Sequence, residues 1–153
     1  MKKTIISFFG LLALMLLQAC NIETSDNGHL DGFWQLKQID NLVDNTSVDK
    51  RYSSTSWSFQ GKLVNLRSLE TPVIVVGNFT HENGTLRLSP LYVEDRISEE
   101  GDHLIVAGDA DYGLECLLPF GFSEVDEVFQ VEVLTSSTMV LSSPARRLYF
   151  RKY

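Results

Sequence analysis

The chain has 153 residues, 44% of them hydrophobic, with 13 basic against 20 acidic side chains and a formal charge of −7. That length suits a single domain with a real core. The acidic balance argues against the basic face that nucleic acid requires and the polybasic patch that holds proteins to anionic lipid.

Residues 1–19 read as an export signal. Lys2 and Lys3 form a positive start, residues 5–17 are apolar apart from Ser7 and Gly10, and Ala19 is a small residue before a cleavage point. A transmembrane helix needs about 20 apolar residues, so the run 5–17 is too short to span. The sequence Leu17-Gln18-Ala19-Cys20 resembles the lipobox of bacterial lipoproteins. That resemblance implies cleavage before Cys20, acyl chains such as palmitate on it, and a tether to a membrane of the bacterial cell envelope, expected to be the outer membrane, with periplasmic or surface display left open. Each buried CH₂ of such a chain is worth about 0.8 kcal/mol. Loss of Lys2 and Lys3 leaves 11 basic against 20 acidic residues, a mature formal charge of −9; the acyl chains must then do the anchoring. With Cys20 lipidated, Cys116 has no partner and no disulfide forms. Cys116 sits in Leu114-Glu115-Cys116-Leu117-Leu118, with no neighbouring cation or His, as expected of an inert buried thiol.

Residues 20–29 read as a flexible tether, since 21–29 hold a single aliphatic side chain. The domain is expected to cover 30–153. Residues 32–39 predict a first strand, with Trp34 and Leu36 on one face and Phe33 and Ile39 on the other. Residues 40–50 are polar and turn-rich. Residues 52–60 place Thr55, Trp57 and Phe59 on one face of a half-buried strand. Gly61-Lys62 turns the chain into a return strand, 63–69. Pro72 precedes a strand at 73–80, and Glu82-Asn83-Gly84 carries a strong hairpin signal before the strand 85–89. Tyr92 and Val93 can extend that strand, residues 94–101 read as a charged loop, and 103–107 as a short strand. Residues 113–122 are apolar but hold Pro119 and two glycines, a pattern for a short helix or a covering loop. Strands follow at 128–134, with Phe129, Val131 and Val133 facing one way, at 138–142, and at 147–152, with Leu148 and Phe150 on one face. Many short strands, tight turns and little helix predict an all-β fold, an antiparallel meander of about eight strands closing into a barrel.

Gly32-Phe33-Trp34 on the first strand resembles the Gly-x-Trp signature of lipocalins. The closing strands, Met139-Val140-Leu141 and Arg147-Leu148-Tyr149-Phe150-Arg151-Lys152, resemble those of small lipocalin-like lipoproteins of Bacteroidota. In lipocalins the first-strand Trp packs across the closed end of the barrel against an Arg of the last strand, a cation–π arrangement. The resemblance therefore implies a barrel-end pair of Trp34 with Arg146, whose parity matches that of Leu148 and Phe150. It implies no particular set of ligand residues.

Catalytic and metal motifs are wanting. His29, His81 and His103 lack ligand spacing, and no Gly-x-Ser-x-Gly, Gly-x-Gly-x-x-Gly or Walker loop occurs. Carboxylates cluster at Asp95, Glu99, Glu100 and Asp102 and at Asp109, Asp111 and Glu115, as solvated loops do; Asp109-x-Asp111 has part of a calcium-loop pattern but lacks its sixth-position Gly and twelfth-position Glu. The expectation is no enzyme, no metal and no cofactor. Aromatics carry the remaining signal: Trp57, Phe59, Phe79, Phe129 and Phe150 fall on inward parities of separate strands. They form either a packed core or the lining of a cavity for a small apolar or amphipathic ligand. The rival expectation is a solid barrel serving as a structural or interaction module, with residues 113–122, if exposed, as its contact surface.

Overall fold

The computed structural model describes residues 26–153, so the expected signal segment, Cys20 and most of the tether lie outside the described residues. Ten strands are described: β1 (Gly32–Asn41), β2 (Thr46–Asp49), β3 (Ser56–Gln60), β4 (Leu63–Arg67), β5 (Val75–Glu82), β6 (Thr85–Val93), β7 (His103–Leu104), β8 (Val128–Leu134), β9 (Thr138–Ser142) and β10 (Arg146–Lys152). Among the described residues the helical content is three 3₁₀ turns, Gly28–Leu30, Leu114–Cys116 and Leu118–Phe120. Strands β1, β3, β4, β5, β6, β8, β9 and β10 pair antiparallel in that order, and β10 returns to β1, closing an eight-stranded barrel. Closure removes the unpaired edges that an open sheet would expose.

Antiparallel succession sends the connections to alternate rims. The entry rim receives the chain at Gly32 and carries the turns 60–63, 82–85 and 134–138 and the end of β10; the opposite rim carries the connections 41–46, 67–75, 93–128 and 142–146. The hairpin turn at Asn83-Gly84 has φ of 52° and 75°, the paired positive values that a tight two-residue turn needs and that Asn and Gly accept most easily.

Two bulges alter the faces expected from simple alternation. In β1 the register with β10 slips between Leu36 and Gln38, so that Leu36 faces Phe150 and Ile39 faces Leu148. The extra residue, Lys37, resets the parity, and Ile39 is buried with Trp34 and Leu36 rather than sharing the outer face with Phe33. In β8 the slip between Val131 and Val133 turns Val133 outward, away from Phe129. The polar stretch after β1 also holds a strand that alternation did not reveal. All four residues of β2 are exposed, and it forms through the backbone ladder to Gln38–Asn41, in line with β3 along the same side of β1. Between β2 and β3, residues 51–54 turn away from β1 while Lys50 and Thr55 still bond its backbone, and the stretch is tied to the next loop by the Lys50–Glu70 ion pair and by a Thr55 Oγ1–Ser68 Oγ hydrogen bond of 2.8 Å.

β5 and β6 approach too closely at Gly77 for any side chain there. A Cβ would lie 2.2 Å from the Pro90 carbonyl oxygen and 3.0 Å from Leu91 Cα, both backbone. The glycine permits the slip in register between Gly77 and Phe79 that brings Phe79 opposite Leu88 and buries both.

Candidate functional site

Two places in the barrel concentrate specific side-chain chemistry: the end at the entry rim and the interior below the opposite rim. At the entry rim the 3₁₀ turn Gly28–Leu30 lies across the barrel end. Trp34 Nε1 donates to the Leu30 carbonyl at 2.7 Å, Lys152 Nζ donates to the His29 carbonyl at 2.8 Å, and the same ammonium stands 5.0 Å from the centre of the Trp34 ring. Gly32, at φ 119°, clears the path of that lysine, since a Cβ there would meet Lys152 Cε at 2.7 Å. The Gly-x-Trp spacing thus has a local cause: the glycine leaves room for the cation that covers the tryptophan. The expected partner, Arg146, is not the one used. The register puts Lys152 opposite Trp34 and Arg146 opposite Asn41, so Arg146 sits six residues along β10 at the other rim, about 20 Å away at 3.3 Å per residue. Parity identified the inward face correctly but could not choose between positions along it.

In the interior the structure turns all five aromatic candidates inward and packs them on one another. Ring centres of Trp57 lie 6.3 Å from Phe59, 5.6 Å from Phe129 and 5.0 Å from Phe150, and Phe59 lies 5.0 Å from Phe79. Each has 5% or less of its surface exposed. The remaining space is taken by a segment that drops into the barrel from the opposite rim. Its 3₁₀ turns Leu114–Cys116 and Leu118–Phe120 bring Leu117, Phe120 and Phe122 to complete burial. Phe122 stacks on Trp57 at 5.4 Å and meets Phe129 edge-on at 5.4 Å, and Trp57 Nε1 donates to the Phe120 carbonyl at 3.2 Å. Gly121 adopts φ 101°, which favours glycine, and a Cβ there would press on Leu148 Cδ2 at 2.8 Å where the plug meets the inner wall. Past the plug, the buried Glu127 carboxylate accepts the Ser123 N–H at 2.6 Å and the Ser123 hydroxyl at 2.5 Å, which fixes the segment's exit. Residues 113–122 therefore cover the core from inside. Their apolar side chains are not the exposed contact surface that the solid-barrel expectation had placed there.

Two clefts lie elsewhere. One of about 230 Å³ is bounded by Leu88, Pro90, Leu91, Ile105 and Val125, and a shallower one of about 410 Å³ by Glu124, Val128, Gln130 and Ser142–Pro144. None of the five aromatics lines either cleft.

The carboxylate clusters shape their own loops. Asp95 accepts the N–H groups of Ile97 and Ser98, which hold its carboxyl well below the usual range, and its other oxygen lies 3.4 Å from His103 Nε2. His103 in turn stacks on Tyr112 with ring centres 4.2 Å apart. Asp109 accepts the N–H groups of Asp111 and Tyr112 and is lowered by them. Among the described residues no three His, Cys, Asp or Glu side chains are grouped to hold a metal ion. Cys116 is buried, and its desolvation, helped by the charges of Asp109 and Glu115, pushes the thiol up.

With this geometry in place, the profile of the lipocalin-like domain family matches residues 14–153. The chain belongs to that family. Comparison with curated proteins finds no match. Among solved structures, the lipocalin-like barrel is similar to a lipocalin-like protein from Bacteroides uniformis, at 26% identity over 82% of this chain and 100% of the other, with a TM-score of 0.56. It is also similar to an uncharacterized protein from Bacteroides eggerthii, at 22% identity over 81% and 99% of the two chains, with a TM-score of 0.53. A protein from Burkholderia xenovorans matches at 13% identity over 81% and 83%, with a TM-score of 0.50. The last two likenesses concern the fold.

Within this lipocalin-like barrel, four important residues escaped the sequence reading. Lys152 was missed because β10 offers several cations. Leu117, Phe120 and Phe122 were missed because their segment has no period. Composition held the available signal: a stretch that apolar is rarely left on a monomer's surface.

Proposed function

We propose that this lipocalin-like protein is a lipid-anchored, non-enzymatic module of the bacterial cell envelope that works through its outer surface, its barrel interior serving as core. The observation that carries the reading is the plug: Phe120 and Phe122 occupy the space in which a barrel of eight strands could hold a small ligand, and the five candidate lining aromatics contact one another or Phe122. The lipid anchor rests on the lipobox at Cys20 and the short apolar run before it. Two measurements test the two halves. Native mass spectrometry of the mature protein mixed with palmitate should return the protein without a bound fatty acid; a stoichiometric adduct would restore the ligand-binding reading. In detergent phase partitioning the wild type should enter the detergent phase and Cys20→Ala the aqueous phase. An aqueous wild type would remove the anchor.

A second reading has one observation in its favour. The plug holds itself by two 3₁₀ turns rather than a longer element, and the side-chain hydrogen bond between it and the barrel wall described above is that of Trp57. Its displacement would open an aromatic-lined cavity, and the palmitate experiment distinguishes this reading from the first.

A further inference from the structure

We infer that the entry rim is a membrane-docking surface, a second contact that seats the barrel on the lipid bilayer with its plugged rim pointing away. This rests on the lipid anchor proposed above. Five residues, 21–25, lie between the lipidated Cys20 and Asp26, so the chain takes six steps from one to the other. At no more than about 3.5 Å per residue they span about 20 Å at most. Asn27 then pins the chain to the rim, its Nδ2 donating to the Gly61 carbonyl at 2.6 Å and to Asp31 Oδ1 at 2.7 Å. The anchor therefore keeps this rim within about 20 Å of the headgroups.

The rim is suited to that position. Phe33, Leu63 and Tyr153 are exposed there by 43%, 63% and 72%. Phe33 and Tyr153 form an edge-on pair at 5.3 Å, fixed by the Tyr153 N–H donating to the Phe33 carbonyl at 3.0 Å. The Arg151 guanidinium lies 6.0 Å from the Tyr153 ring, and Lys62 stands at the turn before Leu63. An aromatic with a polar tip, flanked by cations, matches the interfacial layer of a bilayer, where the ring meets acyl chains and the hydroxyl and cations meet headgroup oxygens. Charge favours the same orientation. Residues 94–102 and 109–127, at the opposite rim, carry eleven of the 20 acidic side chains against the single base Arg96. An anionic bilayer repels that rim, while the entry rim, with Lys62, Arg151 and Lys152 beside Asp26, Asp31 and Glu82, is close to balanced.

The test uses the lipidated protein purified from membranes and reconstituted into vesicles of phosphatidylethanolamine and phosphatidylglycerol. A small fluorophore is placed at Leu63→Cys on the entry rim or at the exposed Ile97→Cys on the opposite rim, and quenching by chain-brominated lipid is compared. Entry-rim contact to the depth of an interfacial segment predicts quenching about threefold stronger at position 63 than at 97. Replacing Phe33 and Tyr153 together by Ser should bring position 63 down to the value at 97 while the protein stays with the vesicles. Equal, weak quenching at both positions in vesicle-bound protein would overturn the docking surface and leave the anchor intact. Protein that never associates with vesicles would overturn the anchor, and the docking surface with it. Shielding of position 63 in native envelopes but not in vesicles would assign the rim to a protein or wall partner and overturn the lipid assignment.

Discussion

Phe122→Ala is expected to destabilise the barrel by about 3–5 kcal/mol and to open a dry void beside Trp57, as large-to-small changes in rigid cores do. Phe122 has no exposed surface, stacks on Trp57 and meets Phe129 edge-on, so removing the ring takes a contact from both. Phe120 differs, because its carbonyl, not only its ring, is used: it accepts from Trp57 Nε1. Phe120→Ala keeps that carbonyl and should retain the plug's path while losing its ring. Chemical denaturation measures the cost of each. Binding of benzene or a similar apolar probe to the Phe122→Ala protein, and not to the wild type, checks the void, since cavities lined by apolar groups stay dry and take such probes. A wild-type protein that binds the probe equally well would mean that the plug leaves the barrel readily, and would shift the functional reading toward ligand uptake.

Trp34→Ala is expected to cost a similar amount, about 3–5 kcal/mol, for different reasons. The side chain is wholly buried at the barrel end, and its Nε1–H satisfies the Leu30 carbonyl of the 3₁₀ turn that covers that end. Removing it leaves a cavity and an unpaired carbonyl together. Lys152→Met keeps most of the apolar stem over the ring and removes the charge. It should cost about 0.5–1 kcal/mol, the scale of a cation–π contact at a partly exposed site, with a further loss from the freed His29 carbonyl. Arg146→Met should fall within about 0.5 kcal/mol of the wild type, as changes away from such features do. Thermal unfolding of the three variants orders them. If Arg146→Met matched Trp34→Ala, the register between β1 and β10 would have to differ from the one described.

Much of the architecture was legible because β alternation is a local property. The strand at 128–134, the turns at Gly61 and Asn83-Gly84, and the inward parity of Trp57, Phe59, Phe129 and Phe150 follow from neighbouring residues alone. So does barrel closure in outline, since eight or so short strands with tight turns leave few other ways to hide edges. The misreadings occur where the local pattern is reset or carries no information. One extra residue at Lys37 turned Ile39 inward, and a slip before Val133 turned it out. β2 has no buried residue, so only its ladder to β1 reveals it.

The sequence by itself determined the all-β class, the approximate strand count and the inward aromatic set, because each depends on residue type and short-range spacing. The tertiary structure decided which cation covers Trp34 and what fills the barrel. Lys152 rather than Arg146 takes that place because the register along β10, set by closure onto β1, brings it opposite the ring. Whether the aromatics line a void or form a core depended on residues 117–122. They lie some 60 positions from Trp57 in the chain, and their burial comes from a long-range contact that no local period announces.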